Sequence, residues 1–154
     1  MQDQSKPPGS PAVLAMLSRV INEGLSLEER LWAASVLKDA SLESMFGKDS
    51  HEYAAWLESF FKPCCDVLRK VEPQLQPSVQ HQLRNTMLEL LNRLHQNDAF
   101  KPRAPELFEL CLSVVRVDNH NNSLLAIKIM FDMLKAYKAQ MEAQAEQFLE
   151  LVTQ

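Results

Sequence analysis

A chain of 154 residues is one domain's worth, and a compact chain of that size buries about 68 to 70% of its unfolded surface, enough for a core without disulfide or metal staples. Hydrophobic residues at 46% and charged residues at 23% are ordinary globular values and argue against disordered and fibrous classes. The net charge is −4, with sixteen Lys and Arg spread along the chain, so there is no basic stripe of the kind that direct nucleic-acid binding needs.

Three glycines, set beside seven Met and many Leu, Ala, Glu and Gln, favour helix over sheet throughout. Residues 1–11, MQDQSKPPGSP, carry no apolar core for a secretory signal and read as a short disordered tail ahead of a helical domain over 12–154. From 12 to 23, Val13, Leu17, Val20 and Ile21 recur at helical spacing, with Gly24 as the stop. Ser26 then stands three residues before Glu29, the spacing of a capping box. Leu27, Leu31, Trp32, Val36 and Leu37 are the expected face of the second helix, which runs to about Ala40.

Residues 41–48, with Gly47 near the end, read as a loop. Beyond it Tyr53, Trp56, Leu57, Phe60 and Phe61 line one stripe that must be buried. The same face continues past Pro63 through Cys64, Val67, Leu68 and Val71, so one kinked helix fits better than two separate ones. Cys64, Cys65 and Cys111 are odd in number, without CxxC spacing, and two of them are adjacent in an apolar run. They read as buried free thiols of a reducing compartment.

Pro73 and Pro77 bracket a turn, and Pro77 is suited to a first helical position. Val79, Leu83, Met87, Leu90, Leu91 and Leu94 then form a face that ends near His95. After a connection over 96–104, Pro105 restarts a helix that is apolar nearly all round, from Leu107 to Val117, and such a helix is buried between neighbours. The run 118–123, DNHNNS, reads as a turn, with the next helix beginning at Leu124 and continuing to Tyr137. Its Asn121-Asn122-Ser123 matches the glycosylation acceptor pattern, a chance match where no secretory signal is read. A last helix starts near Ala139 with Met141, Ala145, Phe148, Leu149 and Val152 on its face. No apolar run approaches the roughly 18 residues of a membrane span.

These starts pair the helices into hairpins at intervals of about 40 to 50 residues, close to the HEAT and armadillo periods. The predicted fold class is therefore all-α, a HEAT-like α-solenoid of about three stacked hairpins. A compact helical bundle satisfies the same stripes and is the alternative.

Residues that carry chemistry are sparse. His51, His81, His95 and His120 lie at helix ends or on polar faces without partners at metal-ligand spacing. Glu58 with Asp66, or Asp98 with Glu106, are conceivable carboxylate pairs, but carboxylates on the wet side of amphipathic helices are the ordinary case. Gly9, Gly24 and Gly47 are isolated, so there is no phosphate-cradling loop. The residues thus point to no catalytic, cofactor-binding or metal site, and to a non-enzymatic protein whose grooves hold other proteins. Lys101 and Arg103 are the nearest approach to a basic cluster, and Glu106 and Glu109 follow them at once.

Three blocks resemble a known family: FFKPCCDVLRKVEPQLQP over 60–77, QLRNTMLELLNRLHQNDAFKP over 82–102, and NNSLLAIKIMFDMLKAYK over 121–138. They are similar to the amino-terminal HEAT region of the transformation/transcription domain-associated (TRRAP) pseudokinases, relatives of the phosphatidylinositol 3-kinase-like kinases. The most specific match is Gln82-Leu83-Arg84 followed by an apolar helix and Leu94-His95-Gln96-Asn97 to Lys101-Pro102. The resemblance covers roughly residues 50–154. It implies a nuclear scaffold of SAGA-type histone acetyltransferase coactivator complexes, with complex subunits and transcriptional activators as protein partners, and with no nucleic acid, membrane or small-molecule substrate of its own. The competing readings are a generic cytosolic HEAT-type adaptor and an all-helical enzyme, the last requiring a pocket of converging polar side chains.

Overall fold

A computed structural model describes residues 11–39, 51–94 and 100–153. Seven α-helices follow one another: α1 (Pro11–Val20), α2 (Leu27–Asp39), α3 (His51–Lys70), α4 (Val79–Asn92), α5 (Ala104–Val117), α6 (His120–Ala136) and α7 (Glu142–Val152). A single 3-10 turn, Lys101–Arg103, leads into α5. Among the described residues there is no strand.

The helices pack as consecutive antiparallel pairs. α1 lies on α2, α3 on α4, and α5 on α6, while α1 meets α3 in one layer and α2, α4 and α6 meet in the other. This is the solenoid arrangement of three stacked hairpins, and α7 packs on α6 beyond them. Each helix hides a stripe that its neighbour cannot leave in water. Leu57, Phe60, Phe61, Cys64, Val67 and Leu68 from α3 interlock with Leu83, Met87, Leu90 and Leu91 from α4, all buried. The side chains of Tyr53 and Trp56, expected on the same stripe, lie outside those described. Phe100 ties hairpins two and three together, edge-on to Phe61 at 5.8 Å and stacked on Tyr137 at 6.5 Å between ring centres.

Pro63 stays within α3, as the continuous stripe on either side of it requires. Ser26 caps α2 by accepting the Glu29 N–H at 3.2 Å. Other boundaries move. Pro77 precedes α4 rather than opening it, because Ser78 is the cap and its hydroxyl accepts the His81 N–H at 3.1 Å. The segment 118–123 is mostly helix, not turn: Asn119 caps α6, its side-chain oxygen accepting the Asn122 N–H at 3.0 Å, so the helix starts at His120. Polar composition signalled a turn where the same residue types were building a cap. α1 begins at Pro11, where the missing N–H costs nothing; residues 1–10 and the loop expected over 41–48 lie outside the described residues.

The largest departure is the rotation of α2. Arg30, Ala33, Ala34 and Leu37 are buried, whereas Trp32 and Val36, expected on the packed face, are 55% and 38% exposed. Two adjacent alanines make a flat strip on which α1 and α4 approach closely, and the bulkier pair is turned outward.

Candidate functional site: the seams between hairpins

Both seams of the stack are built from an arginine set within an otherwise apolar stripe. Arg84 shares its helical face with Met87, Leu88 and Leu91, and Arg30 shares one with Ala33, Ala34 and Leu37. Each faces the end of the preceding helix, where the last carbonyls lack intrahelical partners. A cation there is also favoured by the helix dipole.

At the second seam Arg84 bonds through both Nη1 and Nε. Its Nη1 donates to the carbonyls of Leu68 and Val71 at the end of α3, at 2.6 and 2.5 Å. Its Nε donates to Asp118 Oδ2 at 2.7 Å, with both side chains at or below 2% exposure. The other oxygen of Asp118 accepts from the Asn119 backbone N–H at 2.9 Å and from the side-chain amide nitrogens of Asn119 and Asn122, both at 3.1 Å. Asn119 Nδ2 also donates to the Gln74 carbonyl at 3.1 Å and lies 3.0 Å from His81 Nδ1. Asn85 Nδ2 donates to Asn122 Oδ1 at 3.0 Å. The α3 end, α4, the α5 end and α6 thus share one buried hydrogen-bonded network.

At the first seam Arg30 Nε donates to the Val20 carbonyl at 2.7 Å, closing the end of α1. Beside it lies an open notch of about 460 Å³ walled by Glu23, Leu27, Lys70, Val71, Glu72 and Gln80. Lys70 and Glu23 pair across its mouth at 3.7 Å, both largely exposed. Farther along, Arg93, the C-cap of α4, donates to the Lys38 carbonyl near the end of α2, a third use of arginine on a carbonyl of a neighbouring helix.

The carboxylates considered for acid and base work, where described, are each met by an arginine. Glu58 pairs with Arg103, Asp66 with Arg69 at 3.3 Å, and Glu106 with Arg69 at 2.8 Å; Asp98 lies outside the described residues. Of these, the pair of Arg69 and Glu106 joins α3 to α5, that of Glu58 and Arg103 joins α3 to the turn before α5, and that of Asp66 and Arg69 lies within α3; such exposed pairs contribute little individually. His81 belongs to the Asp118 network and His120 is exposed at the start of α6, while His51 and His95 lie outside the described side chains.

Cys64, Cys65 and Cys111 are free and buried. Burial, with the neighbouring Cys65 adding to it, raises Cys64 and Cys111 well above the usual thiol range, and burial raises Cys65 to about 12. A thiol held protonated is a poor nucleophile and a poor ligand, which makes these packing residues. Among the described residues no group of three or more His, Cys, Asp or Glu is placed to hold a metal ion, and no helix is long and apolar enough to cross a membrane.

What the surface does offer is large apolar side chains on the α2 and α6 layer. Beyond Trp32 and Val36, α6 presents Leu124 and Phe131, the latter 51% exposed. Lys135 Nζ sits 5.2 Å from the Phe131 ring centre, and Phe148 of α7 leans on the ring at 6.5 Å. Leu149, expected on the packed face of the last helix, is 60% exposed.

No family model matches the chain and no solved structure matches it. Curated relatives do. The chain is 30% identical over 101 residues, 66% of its length, to a Dictyostelium discoideum protein described as probable transcription-associated protein 1. It is 27% identical over 138 residues, 89% of its length, to the Saccharomyces cerevisiae SAGA complex/NuA4 acetyltransferase complex subunit TRA1. It is 24% identical over 106 residues, 68% of its length, to the Homo sapiens transformation/transcription domain-associated protein. The chain spans only 2 to 4% of the length of these three relatives. With its helices paired and stacked as described, the chain is a TRRAP-like segment, a short run of helical hairpins similar in sequence to the transcription-associated proteins.

Proposed function

We propose that this chain is a scaffold segment of a transcription coactivator assembly, acting in the nucleus by holding protein partners and transforming no substrate. The observation that carries the reading is the similarity to transcription-associated proteins across 89% of the chain in the yeast relative, a subunit of SAGA and NuA4 acetyltransferase complexes by its name. The fold supports it. Stacked hairpins present long faces, and α2 and α6 turn Trp32, Val36, Leu124 and Phe131 outward. The paired state of Glu58, Asp66 and Glu106 and the protonated state of the cysteines leave no activated acid, base or nucleophile among them.

Affinity purification of the tagged chain from nuclear extract tests the reading. Recovery of acetyltransferase-complex subunits, lost when Trp32 and Phe131 are both replaced by Ser, is the expected outcome. Purification without any such subunit, together with exclusion of the tagged chain from nuclei, would favour a cytosolic adaptor instead.

A further inference from the structure

Arg30 and Arg84 hold the same station in consecutive hairpins, near the start of the second helix and against the carboxyl end of the first. In the second seam that station is closed by a carboxylate, Asp118, delivered from the next hairpin. In the first it is not. Arg30 is 7% exposed, and beyond the Nε bond to Val20 its terminal amino groups meet no acceptor among the described residues. They border the 460 Å³ notch. A guanidinium is always charged and carries a fork of N–H donors, and leaving buried donors unmet is costly.

We infer that this notch is a binding site for a single carboxylate, the side chain of a Glu or Asp on a protein partner, taken by the free edge of the Arg30 guanidinium. Three features select that ligand. Planar two-point recognition of a carboxylate is what the guanidinium fork does best, and this molecule already pairs the corresponding arginine of the next hairpin, Arg84, with an aspartate, there through Nε. The charges around the notch, Arg30 and Lys70 against Glu23 and Glu72, cancel formally, so a multiply charged anion gains no net field whereas one carboxylate finds donors. Leu27 and Val71 supply apolar wall for the methylenes behind it, and a few hundred Å³ is the scale of small-ligand sites.

The chain's own acids do not do this work. Glu23 is engaged with Lys70 at the mouth, and Glu72, exposed at the rim, forms no ion pair with Arg30 among the described residues. Glu72 instead repels a second negative charge. The inference goes beyond the scaffold reading and does not depend on it, since the notch belongs to this chain whatever assembly it serves.

The test is a titration of the ¹⁵N-labelled full chain at fixed ionic strength, following the Arg30 side-chain Nε–H signal and the Val71 and Gln80 amides. The probe is a short peptide, blocked at both ends, with one central Glu. A saturable shift is expected with this peptide and none with its Gln counterpart. Arg30→Lys keeps the charge but not the fork and weakens binding about tenfold or more, with an otherwise unchanged amide spectrum showing that the fold survives. Glu72→Gln tightens binding by removing the repelling charge. An Arg30 signal unmoved by the Glu peptide would overturn the proposal. A response confined to a free C-terminal carboxylate would overturn the assignment to a side chain, and inorganic phosphate acting as strongly as the Glu peptide would overturn the preference for a single carboxylate. An Arg30 signal displaced by Glu72→Gln in the absence of peptide, with no peptide response in the parent chain, would mean that Glu72 itself closes the notch.

Discussion

The two seams of this stack use one device and finish it differently. Between hairpins two and three, Arg84 meets an aspartate from the following hairpin and every neighbouring amide joins in. At the first seam, Arg30 bonds the Val20 carbonyl of its own hairpin and borders the notch walled on the other side by Lys70, Val71, Glu72 and Gln80 of hairpin two. The contrast separates two roles of a buried cation. Paired, it fixes the register of one hairpin on the next; half-paired, it is available to something from outside. A buried ion pair need not add net stability over apolar residues of the same shape, but removing one partner strands the other.

That asymmetry is open to direct perturbation. Asp118→Ala leaves Arg84 buried without its counter-charge and removes the acceptor of the Asn119 backbone N–H and of Asn122 Nδ2, so it is expected to cost about 3 to 5 kcal/mol in urea unfolding. Glu72→Ala, at the corresponding place in the first seam, is expected to change stability by no more than about 0.5 kcal/mol. Equal costs would erase the distinction between the seams. Asn122→Ala removes the bridge from Asn85 to Asp118 and should cost about 1 to 3 kcal/mol through the unmet groups it leaves.

The cysteines between α3 and α5 sharpen the picture by pH. The folded Cys65 value, about 12 against an ordinary 9.0, lies above that of the unfolded chain, so its contribution is intact below pH 9 and is lost as pH climbs from 9 toward 12. Thermal melts between pH 7 and 11 should show falling stability above pH 9. A flat profile for the parent chain, or the same fall in Cys65→Ala, would remove that assignment. The smallest effect is expected at Trp32, where replacement by Ala should shift stability by about 0.5 kcal/mol or less because the side chain is already in solvent. A large loss there would mean the indole is packed and is not a contact surface.

Much of the fold was legible because helical periodicity reports burial directly. The stripe from Leu57 through Leu68 across Pro63, and the nearly all-apolar α5, needed no tertiary information. The α2 face was misjudged because hydrophobicity alone favours Trp32 and Val36, whereas the close approach of α1 and α4 favours Ala33 and Ala34. The Asp118 network was missed because its members are polar and Arg84 and Asp118 lie 34 residues apart. A signal was nonetheless present. Arg84 falls in register with Met87, Leu88 and Leu91, and Asn122 with Ala126, Ile129 and Met133; a polar residue inside an apolar stripe must find a buried partner. The run DNHNNS held both that partner and the α6 cap, and its composition masked both.

The most direct test of the stacked-hairpin account is a double-mutant cycle on Arg84→Ala and Asp118→Ala, read by urea unfolding of the full chain. A favourable coupling of about 1 to 3 kcal/mol is predicted for two side chains that share one buried bond across a seam. Losses that simply add, with coupling below about 0.3 kcal/mol, would mean that the two hairpins are not joined there.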